Sequence, residues 1–418
     1  MYNGGKDAIQ LKKVINMRYL SQGFDIPDDS KKKEIEDILF KIYNNVLDSD
    51  VRDCIKNSKG LNCQLQHTNG KAGELFSYFI RDNSPETPYR PLYIPWARHL
   101  HWGQLKLMLT EIWFLNHVQK QRCLTGDKRR IRFIYAGAAH GFHLAFLSKM
   151  FPDVEFDLYD PGHFKILPIK DKINIINDLF LDKYVEKYTN HDEEYYLLCS
   201  DIRMKPTEES IKRDQELQLS WWKKIKPEWT MFKYRLPYDS RGVTEYPDGH
   251  ILIQPFPPKN STETRIIIEK DAVMKDWSDE KYEKQLYHHN NHMRDLHYKH
   301  ILGDCRIEKD GICNCYDCTW FVNCIEDYVI WNSLDDSMRR SVAEWKVDKR
   351  DYSSIYDKIG GVEFISNKVR SLVKEVEKKS RGDNVTIKSM TDENIMNLMH
   401  IIKSIEMTGV IPKIRDQE

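Results

Sequence analysis

Four residues in the middle of the chain, Lys106, Asp201, Lys233 and Glu263, could do chemistry together if an α/β sheet brought them to one crevice. Two lysines, an aspartate and a glutamate beside a glycine-bent turn suit methyl transfer from a sulfonium to a hydroxyl. Such a displacement is in-line, so positioning supplies much of its acceleration. A ribose hydroxyl is a poor nucleophile until its proton is taken. A lysine whose pKa is lowered by burial or by a nearby cation can take it. Lys233 is the expected base and Lys106 the nearby cation. Asp201 and Glu263 oppose that lowering, so their expected role is orientation by hydrogen bonding. Singly, each residue has an ordinary reading: a lysine on a helix is a solvated face, and an aspartate after a strand is a helix cap. Their joint placement is the signal.

The elements that must position them follow from periodicity. GQLKLMLTEIWFLNHVQKQ (Gly103 to Gln121) has a helical period and carries Lys106. IRFIYA (Ile131 to Ala136), VEFDLYD (Val154 to Asp160), KINIIN (Lys172 to Asn177) and YYLLCSD (Tyr195 to Asp201) read as strands. WTMFKYRL (Trp229 to Leu236), HILIQPF (His250 to Phe256) and TRIIIEK (Thr264 to Lys270) complete a set of seven. The early strands alternate with helices, the later ones do not. The expected fold class is therefore α/β, a doubly wound sheet of about seven strands with an antiparallel edge. Before it, residues 1–90 read as a helical extension and arm, with Ile35, Ile38, Leu39, Ile42 and Val46 on one helical face. The proline- and tyrosine-rich stretch Ser84 to Trp96 follows as a linker or surface arm. The central domain is expected over 91–290 and a helical C-terminal extension over 291–418, where Val342 to Lys379 forms one or two surface helices.

In open α/β sheets a ligand binds outside the carboxyl ends of the strands, where strand order reverses. The first such end reads Tyr135-Ala136-Gly137-Ala138-Ala139-His140-Gly141 and opens a helix. Glycines let the backbone pass close to a ligand. Asp160 ends the next strand, where a carboxylate can hold the two hydroxyls of a ribose. The pyrophosphate pattern GxGxxG is absent, which favours S-adenosyl-L-methionine over a dinucleotide.

Composition narrows the function classes. Among 418 residues, 64 Lys and Arg balance 64 Asp and Glu, so a basic surface for nucleic acid must be local. Hydrophobic residues make up 40%, enough for an ordinary core. There is no apolar run of about 18 residues, so no membrane span is expected. MYNGGKDAIQ lacks the apolar centre of a signal peptide. Five of nine cysteines crowd into Cys305 to Cys324, which points to a reducing, cytoplasmic setting.

The segments GQLKLMLTEIWFL, FIYAGAAHGFHL, SDIR, FKYRLPYD and QPFPPKNSTETR, in that order over residues 98–290, resemble the family of poxvirus cap-specific mRNA 2′-O-methyltransferases. Members of that family also act as processivity subunits of poly(A) polymerase. The resemblance implies a Rossmann-like methyltransferase sheet and a Lys-Asp-Lys-Glu tetrad at Lys106, Asp201, Lys233 and Glu263. It implies a methyl donor, S-adenosyl-L-methionine, on Gln104, Tyr135, Gly137, Gly141, Asp160, Leu181 and Asp201. It implies capped mRNA as substrate, a viral poly(A) polymerase catalytic subunit as a partner, and the host cytoplasm, with packaging in the virion, as location.

For the cap, the resemblance implies Tyr238 as an aromatic that stacks on 7-methylguanine, a cationic ring well held between aromatic faces. Asp239 and Glu283 correspond to two acids that accept from the guanine N–H groups. Arg98, Arg235, Ser261 and Thr262 fall at RNA-contacting positions. The second aromatic is expected from the N-terminal arm, with Tyr89 and Tyr93 as candidates that the spacing does not separate. The chain departs from the family at Asn260, where the family has an aromatic.

Cys305, Cys313, Cys315 and Cys318 occur as CRIEKDGICNCYDC, with Cys324 after. Short thiol spacings within a turn suit tetrahedral zinc. The run CYDCTWFVNCIEDYVIW reads equally as an amphipathic helix with small buried thiols. Both readings stand at this point.

Overall fold

Apolar side chains alternate along the central strands, and the two sets they form lie in two separate cores. In β2 (Arg130–Ala136), Phe133 and Tyr135 join one core, Ile134 and Ala136 the other. In β5 (Glu194–Ser200), Leu197 and Cys199 divide from Tyr196 and Leu198 in the same way. A period of two with both faces apolar is a strand buried on both sides. The result is a sheet between two layers of helices.

The computed structural model describes residues 76–90, 103–257, 261–294, 296–303, 312–345 and 352–381. The helix expected near Lys31 to Leu47, and Tyr93, Arg98, Asn260 and Cys305, lie outside the described residues.

The chain enters through β1 (Phe79–Ile80) and α1 (Gly103–Thr125), then runs β2, α2 (Leu144–Met150), β3 (Val154–Tyr159), β4 (Ile173–Ile176), α3 (Asp182–Val185), β5 and α4 (Glu208–Ile225). β6 (Trp229–Tyr234), β7 (Val243–Pro247), β8 (His250–Leu252), β9 (Thr264–Glu269), β10 (Met274–Ser278) and α5 (Asp279–His288) follow. The main sheet has the order β1-β8-β9-β6-β5-β2-β3-β4. Strands β4, β3, β2, β5 and β6 are parallel; β9, β8 and β1 add on antiparallel. The chain steps outward from β2 to β3 and β4, then returns to β5 on the other side of β2. Strand order therefore reverses between β2 and β5.

All seven expected strands are present. The eighth, β1, comes from the segment read as an N-terminal arm: Phe79 and Ile80 pair with Leu252 and Ile251 of β8. A two-stranded ribbon of β7 and β10 was not expected. Helix α4 has the ends its sequence asks for. Thr207 accepts the amide of Ser210, Glu208 and Glu209 fill the first turn, and Lys223 and Lys224 the last.

Three helices follow: α6 (Tyr316–Ser333), α7 (Asp336–Ala343) and α8 (Gly361–Arg381). α8 buries one stripe, Ile365, Val369, Val373 and Val376, and exposes most of the rest, as a surface helix should. α6 is not amphipathic. Trp320, Phe321, Ile325 and Ile330 are buried, and so are Asp317, Thr319, Glu326 and Asp327 on its other sides. It is enclosed because it packs between α1 and α8. Its buried charges have partners: Asp327 binds Lys120 and Asn116 of α1, and Asp317 binds Arg294 at 2.6 Å. Among the described residues, no helix is long and apolar enough to cross a membrane.

Candidate active site

The four residues of the expected tetrad meet in one cluster, and each arrives from a different element. Asp201 follows β5 directly, and its amide is held by the carbonyl of Ala136 at the end of β2, at 2.9 Å. Glu263 directly precedes β9. Lys233 is the penultimate residue of β6, and Lys106 lies in the first turns of α1. The Lys106 Nζ sits 2.9 Å from Glu263 Oε1. The Lys233 Nζ lies between the two acids, 3.1 Å from Asp201 Oδ1 and 3.5 Å from Glu263 Oε2. Lys106 is only 7% exposed, so it is no solvated helix face.

A fifth charged group completes the cluster. Arg265, 1% exposed, donates to Asp201 Oδ1 at 2.6 Å and to the Ser200 carbonyl at 3.4 Å. It is the cross-strand partner of Lys233 in the β6–β9 pair. The sequence reading missed it, though a signal was there. Arg265 stands two residues after Glu263, on the same face of a strand, and a lone charge inside an apolar strand is rarely idle. Arg203 adds a longer-range contact, 3.7 Å from Glu263 Oε2.

Charge explains the electrostatics. Three cations, Lys106, Lys233 and Arg265, face two carboxylates. Burial pulls the Lys106 ammonium below the usual lysine range; Glu263 opposes this, while Lys233 and Arg265 reinforce it. Burial pushes both acids up, but the cations outweigh it. Asp201 is held below its usual range by Lys233 and Arg265, and Glu263 well below by Lys106 and Lys233. A guanidinium does not release its proton in proteins, so a proton leaving this cluster leaves a lysine.

The glycine-bent turn lies against this cluster. Gly137 has φ +83°, and a Cβ there would stand 2.9 Å from the Ile202 amide nitrogen and 3.0 Å from the Asp201 carbonyl carbon. Gly141 has φ +62°, with the Ala138 carbonyl 2.9 Å from the same virtual atom. The loops after β2 and β5 therefore touch through backbone alone, at the point where strand order reverses. Asp160 accepts the amides of Ala139 and Gly162, at 3.1 and 2.7 Å, one on each oxygen. A carboxylate has about four lone-pair sites, so room remains for hydroxyls.

Of the other positions expected on the methyl donor, Gln104 is bound by His143, which also binds the fully buried Glu111 at 2.8 Å. That relay from α1 to the turn was not read from sequence. The Tyr135 ring is buried in the core, with its hydroxyl pKa well above the usual value through burial. Leu181 is 42% exposed at the N-cap of α3.

Across β6 the residues expected to read the cap also gather. The Tyr89 and Tyr238 rings face one another at 6.0 Å between centroids, 31° from parallel. Among the described residues, Tyr89 is the arm aromatic beside Tyr238; Tyr93 lies outside them. The Arg235 guanidinium lies 4.1 Å from the Tyr238 ring centre and binds Glu208 at 2.6 Å. Asp239, with φ +52°, turns its amide to Glu283 Oε1 at 3.3 Å. Burial pushes the Glu283 carboxyl above its usual range, against the hydrogen bond it accepts from the Asp239 amide. The Thr262 amide donates to the Tyr238 hydroxyl at 3.4 Å, and the Ser261 carbonyl accepts from Asn290. Ser261 and Thr262 thus link the ring pair to Glu263. Of the expected thiols, Cys313, Cys315 and Cys318 lie within 4.8 Å of one another, a grouping that could hold a metal.

Residues 77–309 match the sequence profile of the poly A polymerase regulatory subunit family. The chain belongs to that family. A fowlpox virus relative named cap-specific mRNA (nucleoside-2′-O-)-methyltransferase is 29% identical over 217 residues, 46% of this chain and 68% of that protein. A myxoma virus protein of the same name is 28% identical over 214 residues, 46% of this chain and 62% of its own length, less than two thirds. Among solved structures, that of bluetongue virus VP4, described as a multifunctional RNA-capping production line, shares 14% identity with a TM-score of 0.33. The alignment covers 66% of this chain and 49% of that one, a likeness too slight to bear on function. The region matched to the regulatory subunit family contains the whole tetrad, the glycine turn and the Tyr89–Tyr238 pair.

Proposed function

We propose that this protein methylates the ribose 2′-hydroxyl of the first transcribed nucleotide of capped mRNA, using S-adenosyl-L-methionine. The observation that carries this is the cluster in which Lys233 lies between Asp201 and Glu263 while Lys106 and Arg265 supply a surplus positive charge. A surplus cation makes it easier for one amine to lose its proton, and Arg265 cannot be the one. Lys233 accepts the proton of the attacking hydroxyl as general base. Asp201 and Glu263 fix its direction, and Lys106 and Arg265 fix theirs.

When bound, the donor would supply a sulfonium methyl for transfer to the hydroxyl oxygen, its thioether being the leaving group. The residues present fit such a donor. The turn at Gly137 and Gly141 leaves no space for side chains, Asp160 keeps lone pairs for a ribose, and Gln104 is held by His143. Tyr89 and Tyr238 would take the methylated base between them. Stacked carbon layers lie about 3.5 Å apart, so a base between two rings needs them about 7 Å apart, wider than the 6.0 Å between the centroids of this tilted pair. Asp239 and Glu283 receive the guanine N–H groups, and Arg98, Arg235, Ser261 and Thr262 serve the RNA.

The test is methyl transfer to 7-methylguanosine-capped RNA, uncapped RNA, and capped RNA already methylated at the 2′ position. Transfer to the first alone is expected; equal transfer to uncapped RNA contradicts the proposal.

The family description supports a second role, holding RNA for a poly(A) polymerase catalytic subunit. The two roles separate if Lys233→Ala abolishes methylation and leaves RNA affinity intact.

A further inference from the structure

Three thiols meet where the C-terminal helices join the sheet. The Sγ atoms of Cys313, Cys315 and Cys318 lie within 4.8 Å of one another, and all three residues are buried. Those of Cys313 and Cys318 are 3.7 Å apart. A disulfide would bring them to about 2.05 Å. In a tetrahedron of sulfurs around zinc, with Zn–S near 2.3 Å, the S···S edge is about 3.8 Å. The 3.7 Å separation excludes a disulfide and matches one edge of such a tetrahedron, as it also matches an S–H···S contact; all three sulfurs lie within 4.8 Å of one another.

The backbone is arranged for thiolates. The Cys315 amide donates to Cys313 Sγ at 3.4 Å, and the Cys318 amide donates to Cys315 Sγ at 3.5 Å. Cys315 is the N-cap of α6, so its sulfur stands at the positive end of an 18-residue helix. Amides and a helix N-terminus favour the thiolate over the thiol. Cys324 gives the contrast within the same helix. It is buried too, but it donates to the Leu109 carbonyl at 3.6 Å, and burial pushes its thiol pKa well up. That is the behaviour of a packed apolar thiol.

The cluster also has something to hold. The Tyr298 amide binds the Asn314 carbonyl at 2.7 Å, the Tyr316 amide binds that of Arg294 at 3.1 Å, and the Tyr316 hydroxyl binds that of Ser77 at 2.8 Å. The chain before β1, the chain after α5 and the start of α6 thus converge on one short turn. From there α6 packs along α1, which carries Lys106.

We propose that Cys313, Cys315 and Cys318 bind one zinc ion as thiolates, a structural site that fixes the turn opening α6, onto which the chain before β1 and the chain after α5 are hydrogen-bonded. Three thiolates fill three of the four tetrahedral positions. The site is independent of the methyltransferase proposal.

The test is metal analysis of the full chain after dialysis against a mild chelator, with Cys315→Ser and Cys324→Ser alongside. About one zinc per chain is expected in the unmutated protein. Cys315→Ser loses most of it, and Cys324→Ser keeps it. To make the test independent of the folding of Cys315→Ser, the unmutated protein is also loaded with Co²⁺, for which thiolate charge-transfer absorption in the near ultraviolet is expected. Folded unmutated protein without stoichiometric zinc and without that absorption overturns the proposal. Zinc content unchanged by Cys315→Ser also overturns it.

Discussion

Lys233 and Arg265 stand opposite one another across the β6–β9 pair and both reach the same oxygen, Asp201 Oδ1, at 3.1 and 2.6 Å. The lysine is the group proposed to move a proton, and the arginine is the group that cannot. Arg265 and Lys233 together hold Asp201 in its ionised form against burial, and of the two only the guanidinium keeps its charge at every working pH.

The first prediction follows from that pair. Arg265→Met leaves Asp201 short of a donor in a buried place and costs roughly 1–3 kcal/mol of stability at neutral pH. The pH dependence has a definite sign. Asp201 is depressed in the folded protein, so its contribution is full above the unfolded aspartate pKa of about 3.9 and is lost as pH falls through the folded value. With Arg265 removed, the folded value rises towards the unfolded one, the window between them narrows, and the two proteins' stabilities converge as pH falls. Denaturant melts of both proteins from pH 7 to pH 3 check this; parallel curves contradict it.

The second concerns the turn. Gly137→Ala adds a Cβ at φ +83° that meets the backbone of Asp201 and Ile202, whereas Gly126→Ala adds one at φ +71° in open space. Left-handed strain of about 1–2 kcal/mol is common to both. Gly137→Ala should cost more stability than Gly126→Ala, and it alone should weaken S-adenosyl-L-methionine binding by calorimetry. Equal effects from the two substitutions would separate the turn from the donor site.

The third concerns the cap. Tyr238→Ala should harm binding of 7-methylguanosine-capped RNA more than unmethylated guanosine-capped RNA, by about 0.5–2 kcal/mol, because only the methylated base carries the cation. Tyr238→Phe should cost little, since its hydroxyl only accepts a 3.4 Å contact from the Thr262 amide. Cap affinity should fall as pH drops through the raised Glu283 value, because a protonated carboxyl no longer accepts fully from guanine N–H groups. Glu283→Gln should remove that pH dependence. Fluorescence titrations with both caps at several pH values read all three effects.

The central strands were legible as short apolar runs such as IRFIYA and as the alternation of VEFDLYD; that Phe133 and Tyr135 take one face of β2 and Ile134 the other is read from the two cores. β1 was not, because two residues have no period; Phe79 and Ile80 become a strand only by meeting Leu252 and Ile251. The β7–β10 ribbon, VTEYP and MKDWS, shows no apolar alternation to announce it: Val243 is exposed, and Tyr246 and Trp277 meet the core only once the ribbon has formed. Burial of α6 on all sides depends on α1 and α8 closing over it, which no local pattern encodes. At the site, the tetrad was legible because strand ends converge in a doubly wound sheet. Arg265 was not, since within TRIIIEK it passes for an edge charge. Of the two arm aromatics, Tyr89 lies beside Tyr238, and Tyr93 falls outside the described residues.

The most direct measurement is single-turnover methyl transfer to 7-methylguanosine-capped RNA by the unmutated protein and by Lys233→Ala, with donor affinity measured in parallel. A loss of at least about 100-fold in rate is expected, the size of a general-base contribution, with S-adenosyl-L-methionine affinity little changed. Lys233→Ala protein that transfers the methyl at the unmutated rate would contradict the account.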